Sequence, residues 1–336
     1  MNQCMSFNNI LIIFRTLACK SQKCHGTKRF KHRITIGLCC NSTGSDKRPM
    51  LIIGNALKPR CFKNFNSNLY CNYRANANAW MTASIFQEWI MQFDTTLRNE
   101  GRRIILLVDN ATSHKIPPAV TNIHIHYLPP NMTACIQPLD AGIIKSFKSH
   151  YRRFQLQRMV DLADSNLPVE LSLHEAIRYS KMAWDNITPN TIFNCWCHTG
   201  IQSPVPENVT PHEHMPQDFG NIFQRIEIIF HIPPSDIMTP LEFVCVDDQQ
   251  MTEKDLSDEE LLNIKSDFIE EASPTIPSPK PPSLREARAA GETLLRYFES
   301  TSECSSEVEM TTAILRRLCA LSFNSTKQTL ITDFMR

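Results

Sequence analysis

Acidic residues are scarce in the first half of this 336-residue chain. Residues 1–160 hold 6 Asp+Glu against 22 Lys+Arg, a balance of +16, while residues 161–336 hold 28 against 13, a balance of −15, which together give the overall +1. An acid-poor folded unit favours polyanions such as nucleic acid, because neutralising phosphates releases counterions. Long apolar runs are also missing: none approaches the roughly 18 residues that a membrane-spanning helix needs, so no membrane partner is expected. Asn9-Ile10-Leu11-Ile12-Ile13-Phe14 lacks a basic flank before it and a small-residue cleavage site after it, and so reads as a buried strand. Without an export signal, the thirteen cysteines are expected as free thiols in a reducing compartment. No long-period internal repeat is present.

What is present is the length and apolar content for one sizeable domain with a second unit or tails. Residues 7–14, 33–40 and 50–54 read as strands, with the turn Asn41-Ser42-Thr43-Gly44-Ser45 between the second and third, which predicts an antiparallel meander. Residues 82–99 read as a helix capped by Thr82, with Ile85, Trp89, Phe93 and Leu97 on one face. Strands are predicted at 104–108 and 123–128, the latter stopped by Pro129-Pro130. A long helix follows from Asp140 to about Val160, apolar through Ile143, Ile144, Phe147, Tyr151 and Phe154 and basic through Lys145, Lys148, Arg152, Arg153 and Arg158. This order predicts an α/β, ribonuclease-H-like mixed sheet flanked by helices over 1–160. A helical extension is expected over 161–235, an acidic and Pro-rich linker over 236–283, and short helices with a C-terminal peptide over 284–336.

Two aspartates stand where structure would hold a carboxylate rigidly: Asp109 ends the apolar run Ile104–Val108, and Asp140 opens the long helix. The blocks around them carry a family likeness. Asp109-Asn110-Ala111-Thr112-Ser113-His114 resembles the "DN-x-x-x-H" block of the Tigger/pogo branch of DDE transposases. Leu128-Pro129-Pro130-Asn131-Met132-Thr133, followed by Gln137-Pro138-Leu139-Asp140-Ala141-Gly142-Ile143-Ile144, resembles that group's "LPPN-T…QP-D-G-I" block. Lys58-Pro59-Arg60-Cys61-Phe62-Lys63 and Ala183-Trp184 through Trp196 extend the resemblance over roughly residues 10–200.

The resemblance implies a DNA endonuclease or transposase domain of the nucleus, in which three carboxylates hold two Mg²⁺ ions that activate the nucleophile and stabilise the leaving oxygen. Asp109 matches the second acid and Asp140 the third, as catalytic and metal-binding residues. Asn110 and His114 would support the metal or face phosphates, and Lys145, Lys148, Arg152 and Arg153 would meet DNA. The sequence departs from the family at the first acid. The Phe14-Arg15 pair that follows it is kept, and the family's spacing then lands on Asn8-Asn9. An amide brings no charge, so the expectation is a catalytically impaired centre with a weak or vestigial Mg²⁺ site. The family's paired helix-turn-helix domains have no counterpart here, which implies an N-terminally truncated member. Two alternatives stay open: an active Mg²⁺-dependent endonuclease, or a protein-interaction module.

Weaker signals complete the reading. Cys195-x-Cys197-His198 lacks the distant partner pair of a zinc site and reads as helix packing. Cys39 and Cys40 are strand neighbours that point to opposite faces. Gln328-x-x-Ile331-x-x-Phe334-Met335 resembles the peptide that binds the replication sliding clamp, with Met335 in place of the second aromatic.

Overall fold

A computed structural model of the chain describes residues 3–13, 33–114, 120–129, 136–169, 171–202, 215–232, 238–248, 282–300 and 305–325. Its centre is β1 (Gln3–Ile13), flanked by β2 (Arg33–Asn41) and then β3 (Leu51–Gly54) and β4 (Asn72–Ala75) on one side. On the other side lie β5 (Ile104–Val108) and β6 (Ile123–Tyr127). The β1–β2 and β2–β3 pairs are antiparallel, as the turn chemistry predicts, and β3–β4, β1–β5 and β5–β6 are parallel. The sheet is therefore mixed, and helices cover both of its faces. β4 was not expected: Asn72-Tyr73-Arg74-Ala75 has no β-branched run, and its pairing with β3 defines it.

Side-chain alternation along β1 divides the core in two. Ile10 and Ile12 join Ile34, Ile36 and Leu38 on one face, beneath Phe147 and Tyr151 of α2 (Ile144–Asp164), Ile177 of α3 (Leu173–Asn186) and Trp196 of α4 (Pro189–His198). Met5 and Phe7 point the other way, to Phe86, Trp89, Phe93 and Leu97 of α1 (Ala83–Asn99). Thr82 caps α1 by accepting the Ile85 N–H, as the sequence predicts. Cys39 lies in the α1-side cluster and Cys40 in the other, so the two thiols do part across the sheet.

Within the helical extension expected over 161–235, residues 173–198 form two helices, α3 and α4. Thr188 caps the second with its side chain on the Thr191 N–H, and Pro189 occupies the first helical position, where its missing donor costs nothing. Lys47 finishes α3 by donating from Nζ to the carbonyls of Trp184 at 2.8 Å and Ile187 at 3.0 Å. Two further helices, α5 (Phe219–Ile229) and α6 (Pro240–Val244), pack on the far end of α2 through Leu156, Met159, Phe223, Phe243 and Val244. Residues 240–244 thus form a folded helix within the stretch assigned to a linker, because Phe243 and Val244 give it something to bury. A second compact unit starts at Ala272, and its described part is a pair of packed helices, α7 (Leu284–Glu299) and α8 (Ser305–Ser325). Among the described residues no helix is long and apolar enough to cross a membrane.

Candidate active site

The parallel pairing of β1 with β5 brings the two halves of the site together. Gln3 faces Ile104 and Ser6 faces Leu107. Two steps further, the same register sets Asn8 level with Asp109. Alternation then gives the two asparagines opposite duties. Asn8 follows Ile10 and Ile12 to the α2 face, while Asn9 follows Phe7 to the α1 face.

On the α2 face, Asn8 Nδ2 donates to Asp140 Oδ1 at 2.9 Å. Asn8 Oδ1 accepts the Asn9 backbone N–H at 2.7 Å. Both contacts define the amide orientation, since an ionised carboxylate can only accept and a backbone N–H can only donate. Asp140 is held in a π-helical turn, Leu139–Ile143, that opens α2 and contains Gly142 at φ 148°. Gln137, fully buried, anchors this turn to β1 by donating from Nε2 to the Phe7 carbonyl at 3.0 Å. Sequence reading missed Gln137 as a site residue, although it lies in the quoted Gln-Pro-Leu-Asp block.

On the α1 face, His114 is fully buried, with Nδ1 2.5 Å from Asp109 Oδ1 and Nε2 3.2 Å from Asn9 Nδ2. Its ring packs on Phe86 at 4.6 Å and edge-on to Phe7 at 5.7 Å. The Tyr127 hydroxyl donates to the His114 carbonyl at 2.8 Å. Room for this packing comes from Gly37, opposite Asn9 on β2: a Cβ there would meet the Phe7 ring at 3.0 Å and Asn9 Oδ1 at 3.3 Å. Asn110 is exposed on the turn after Asp109.

Asp109 and Asp140 therefore share one site with two amides between them. Enclosure by surrounding protein, followed by the nearby Asp109 charge, pushes the Asp140 pKa up to about 6, with the Asn8 hydrogen bond and Lys148 opposing. Asp140 is also exposed at the surface. Solvent weakens the enclosure effect, which leaves the carboxylate–carboxylate repulsion as the more durable cause. Among the described residues Asp248 also acts on Asp140, but it is paired with Lys148. Asp46 pairs with Arg102, Glu88 with Arg74, and Asp94 with Arg98.

The donor set does not fit two divalent cations. It offers two carboxylates and one neutral amide, whose oxygen is held by Asn9 and whose N–H₂ points into the site. Among the described residues no group of three His, Cys, Asp or Glu could hold a metal. Cys195 is buried in the core, as the helix-packing reading of that segment expects.

Three of the four cations expected to face DNA are engaged internally. Arg152 is buried and pairs with Asp247, Lys148 is buried and pairs with Asp248, and Arg153 chelates both oxygens of Asp218. Their partners lie far along the chain, beyond the reach of sequence reading. Lys145 alone of the four is solvent-exposed. Gln328, Ile331, Phe334 and Met335 lie outside the described residues.

Residues 31–196 match the family described as DDE superfamily endonuclease. That match, together with likenesses to Tigger and CENP-B-type proteins, supports a Tigger/pogo transposase-derived protein. The chain is similar to the Tigger transposable element-derived protein 4 of Mus musculus, at 34% identity over 58% of this chain and 38% of that protein. It is similar to CENP-B homolog protein 2 of Schizosaccharomyces pombe, at 31% identity over 56% of this chain and 40% of the relative. ARS-binding protein 1 of the same yeast matches at 26% identity over 89% of this chain and 54% of its own length. The Tigger-type chain thus spans about two-fifths to one-half of these relatives.

Proposed function

We propose that this Tigger-type chain is a nuclear DNA-binding protein whose DDE centre no longer supports two-metal strand cleavage. The observation that carries the reading is the Asn8 amide, which donates a hydrogen bond to Asp140 where the family's first carboxylate would help hold a cation. Replacing a carboxylate by an amide removes one negative charge from a site that must attract two divalent ions, and such ions bind chiefly through carboxylate oxygens. Asp109 and Asp140 would retain at most one Mg²⁺, held weakly. DNA binding is supported by the +16 balance of residues 1–160 and by similarity to a relative whose name describes it as ARS-binding. A further part of the proposal is that the peptide around Gln328, Ile331, Phe334 and Met335 engages the replication sliding clamp. A peptide of residues 324–336 that fails to associate with the clamp would remove that part.

The test incubates the purified chain with supercoiled plasmid and Mg²⁺. The expected outcome is salt-sensitive binding without nicking above the buffer control. Nicking by the unmodified protein that disappears in Asp109→Ala would overturn the impaired-centre reading.

A further inference from the structure

Three of the four cations expected of α2 itself are paired with acids, which leaves cations of other elements to meet a polyanion. No Asp or Glu occurs between Asp46 and Glu88. Within that interval the chain crosses from β3 to parallel β4 through two short 3₁₀ turns, Arg60–Phe62 and Ser67–Leu69. Lys58, Arg60 and Lys63 are all exposed on this crossover, together with the amides of Asn64 and Asn68. Among the described residues no carboxylate pairs with Lys58 or Lys63. By contrast Arg74, Arg102, Lys148, Arg152, Arg153, Arg158 and Lys181 are all matched with acids.

The crossover is built as a platform. Phe62 packs edge-on against Tyr73 at 4.9 Å, and Phe65 stacks on Tyr70 at 5.0 Å. Phe65 also lies under the exposed Arg178 of α3, with the guanidinium 5.6 Å from the ring centroid. Asn66 closes the second turn by accepting the Asn68 N–H. Phe62, Phe65 and Tyr70 pack on the same core cluster as α2 and α3, which is also the sheet face that carries Asn8. The cations therefore stand on the covered face shared with Asn8 and Asp140, fixed by aromatic packing rather than carried on a free tail.

We infer that the β3–β4 crossover, through Lys58, Arg60, Lys63 and Arg178, is the surface that grips the phosphate backbone of duplex DNA. This inference rests on the DNA-binding reading above and names the surface responsible. Lysine and arginine supply charge, and exposed asparagine amides supply donors of the kind that position a protein on phosphates. Binding through such a surface is set by counterion release, at a slope of about 0.9 in log K against log salt for each phosphate neutralised.

The test uses the full chain and a random-sequence 30-base-pair duplex, with binding followed by fluorescence anisotropy between about 50 and 200 mM salt, the range over which counterion release dominates. Lys58→Gln/Lys63→Gln is compared with Lys181→Gln/Arg225→Gln, which removes the same net charge from residues paired with Asp185 and Asp164. The crossover variant should lose about 2 units of salt slope and on the order of 50-fold in affinity at 0.1 M salt. The control pair should keep the wild-type slope, and all the proteins should share one melting temperature. Equal losses in the two variants would overturn the assignment, as would an unchanged crossover variant. Displacement of the duplex by poly-glutamate at matching charge concentration would assign the surface to an acidic protein segment and overturn it too. Failure of the unmodified chain to bind duplex DNA would instead overturn the DNA-binding reading itself.

Discussion

Asn8 and Asp140, 132 residues apart in sequence, are joined by a 2.9 Å hydrogen bond from the amide Nδ2 to the carboxylate Oδ1. The amide donor opposes the rise in the Asp140 pKa that enclosure and the Asp109 charge produce. Asn9, one residue on, reaches through the opposite face to His114 and so to Asp109.

The turn that presents Asp140 depends on Gln137 and Gly142. Gln137→Ala leaves the Phe7 carbonyl without its buried donor, which costs about 1–3 kcal/mol in urea unfolding. Gly142→Ala forces a side chain onto φ 148°, where a non-glycine residue costs about 1–3 kcal/mol. Both variants should also move the Asn8 side-chain amide signals in NMR spectra of asparagine-labelled protein. A stability loss with those signals unmoved would show that the turn is not what positions Asp140.

Arg152 and Asp247 form a buried pair, with side chains 4% and 1% exposed. Removing one partner strands the other charge, so Arg152→Met or Asp247→Leu alone should cost about 3–5 kcal/mol, while the double replacement should cost much less. Urea unfolding of the three variants measures this. Additive losses would contradict the pairing. The same experiment tests whether residues up to Asp248 belong to the folded unit.

Asp94 fastens α1 to the start of β6 by accepting the backbone N–H groups of Thr121 at 3.0 Å and Asn122 at 2.6 Å, and it also pairs with Arg98. Burial opposes its ionisation, but the Asn122 amide, Arg98 and the Thr121 amide outweigh this and hold its pKa below the usual carboxylate range. The folded state therefore binds the proton less tightly than the unfolded chain. The stability from this group is complete above the unfolded value of about 3.9 and is lost as pH falls through the lower folded value. Asp94→Asn should lower stability at pH 7 and flatten its decline below pH 4, followed by thermal melting. An unchanged pH profile would show that Asp94 carries no such linkage.

Much of the sheet could be read from local pattern. The apolar run at 104–108 became β5, buried as a continuous apolar run predicts, and 33–40 became β2, which is buried on both faces because helices cover both sides of the sheet. Asp109 and Asp140 could be paired because their flanking blocks are distinctive. What sequence could not show were relationships made at long range. β4 exists through its partner rather than its composition. The basic stripe of α2 looked open until Asp218, Asp247 and Asp248 arrived from 65 to 100 residues away to neutralise it. Asn8 and Asn9 looked interchangeable until strand alternation sent them to different acids.

Divalent-cation binding by the unmodified chain and by Asn8→Asp, followed by isothermal titration with Mg²⁺, tests the central claim most directly. If the Asn8 amide is what weakens the site, the unmodified chain should bind at most one Mg²⁺, weakly, and Asn8→Asp should bind at least about tenfold more tightly by restoring a third negative charge. Binding of two Mg²⁺ per unmodified chain, abolished by Asp109→Ala, would contradict it.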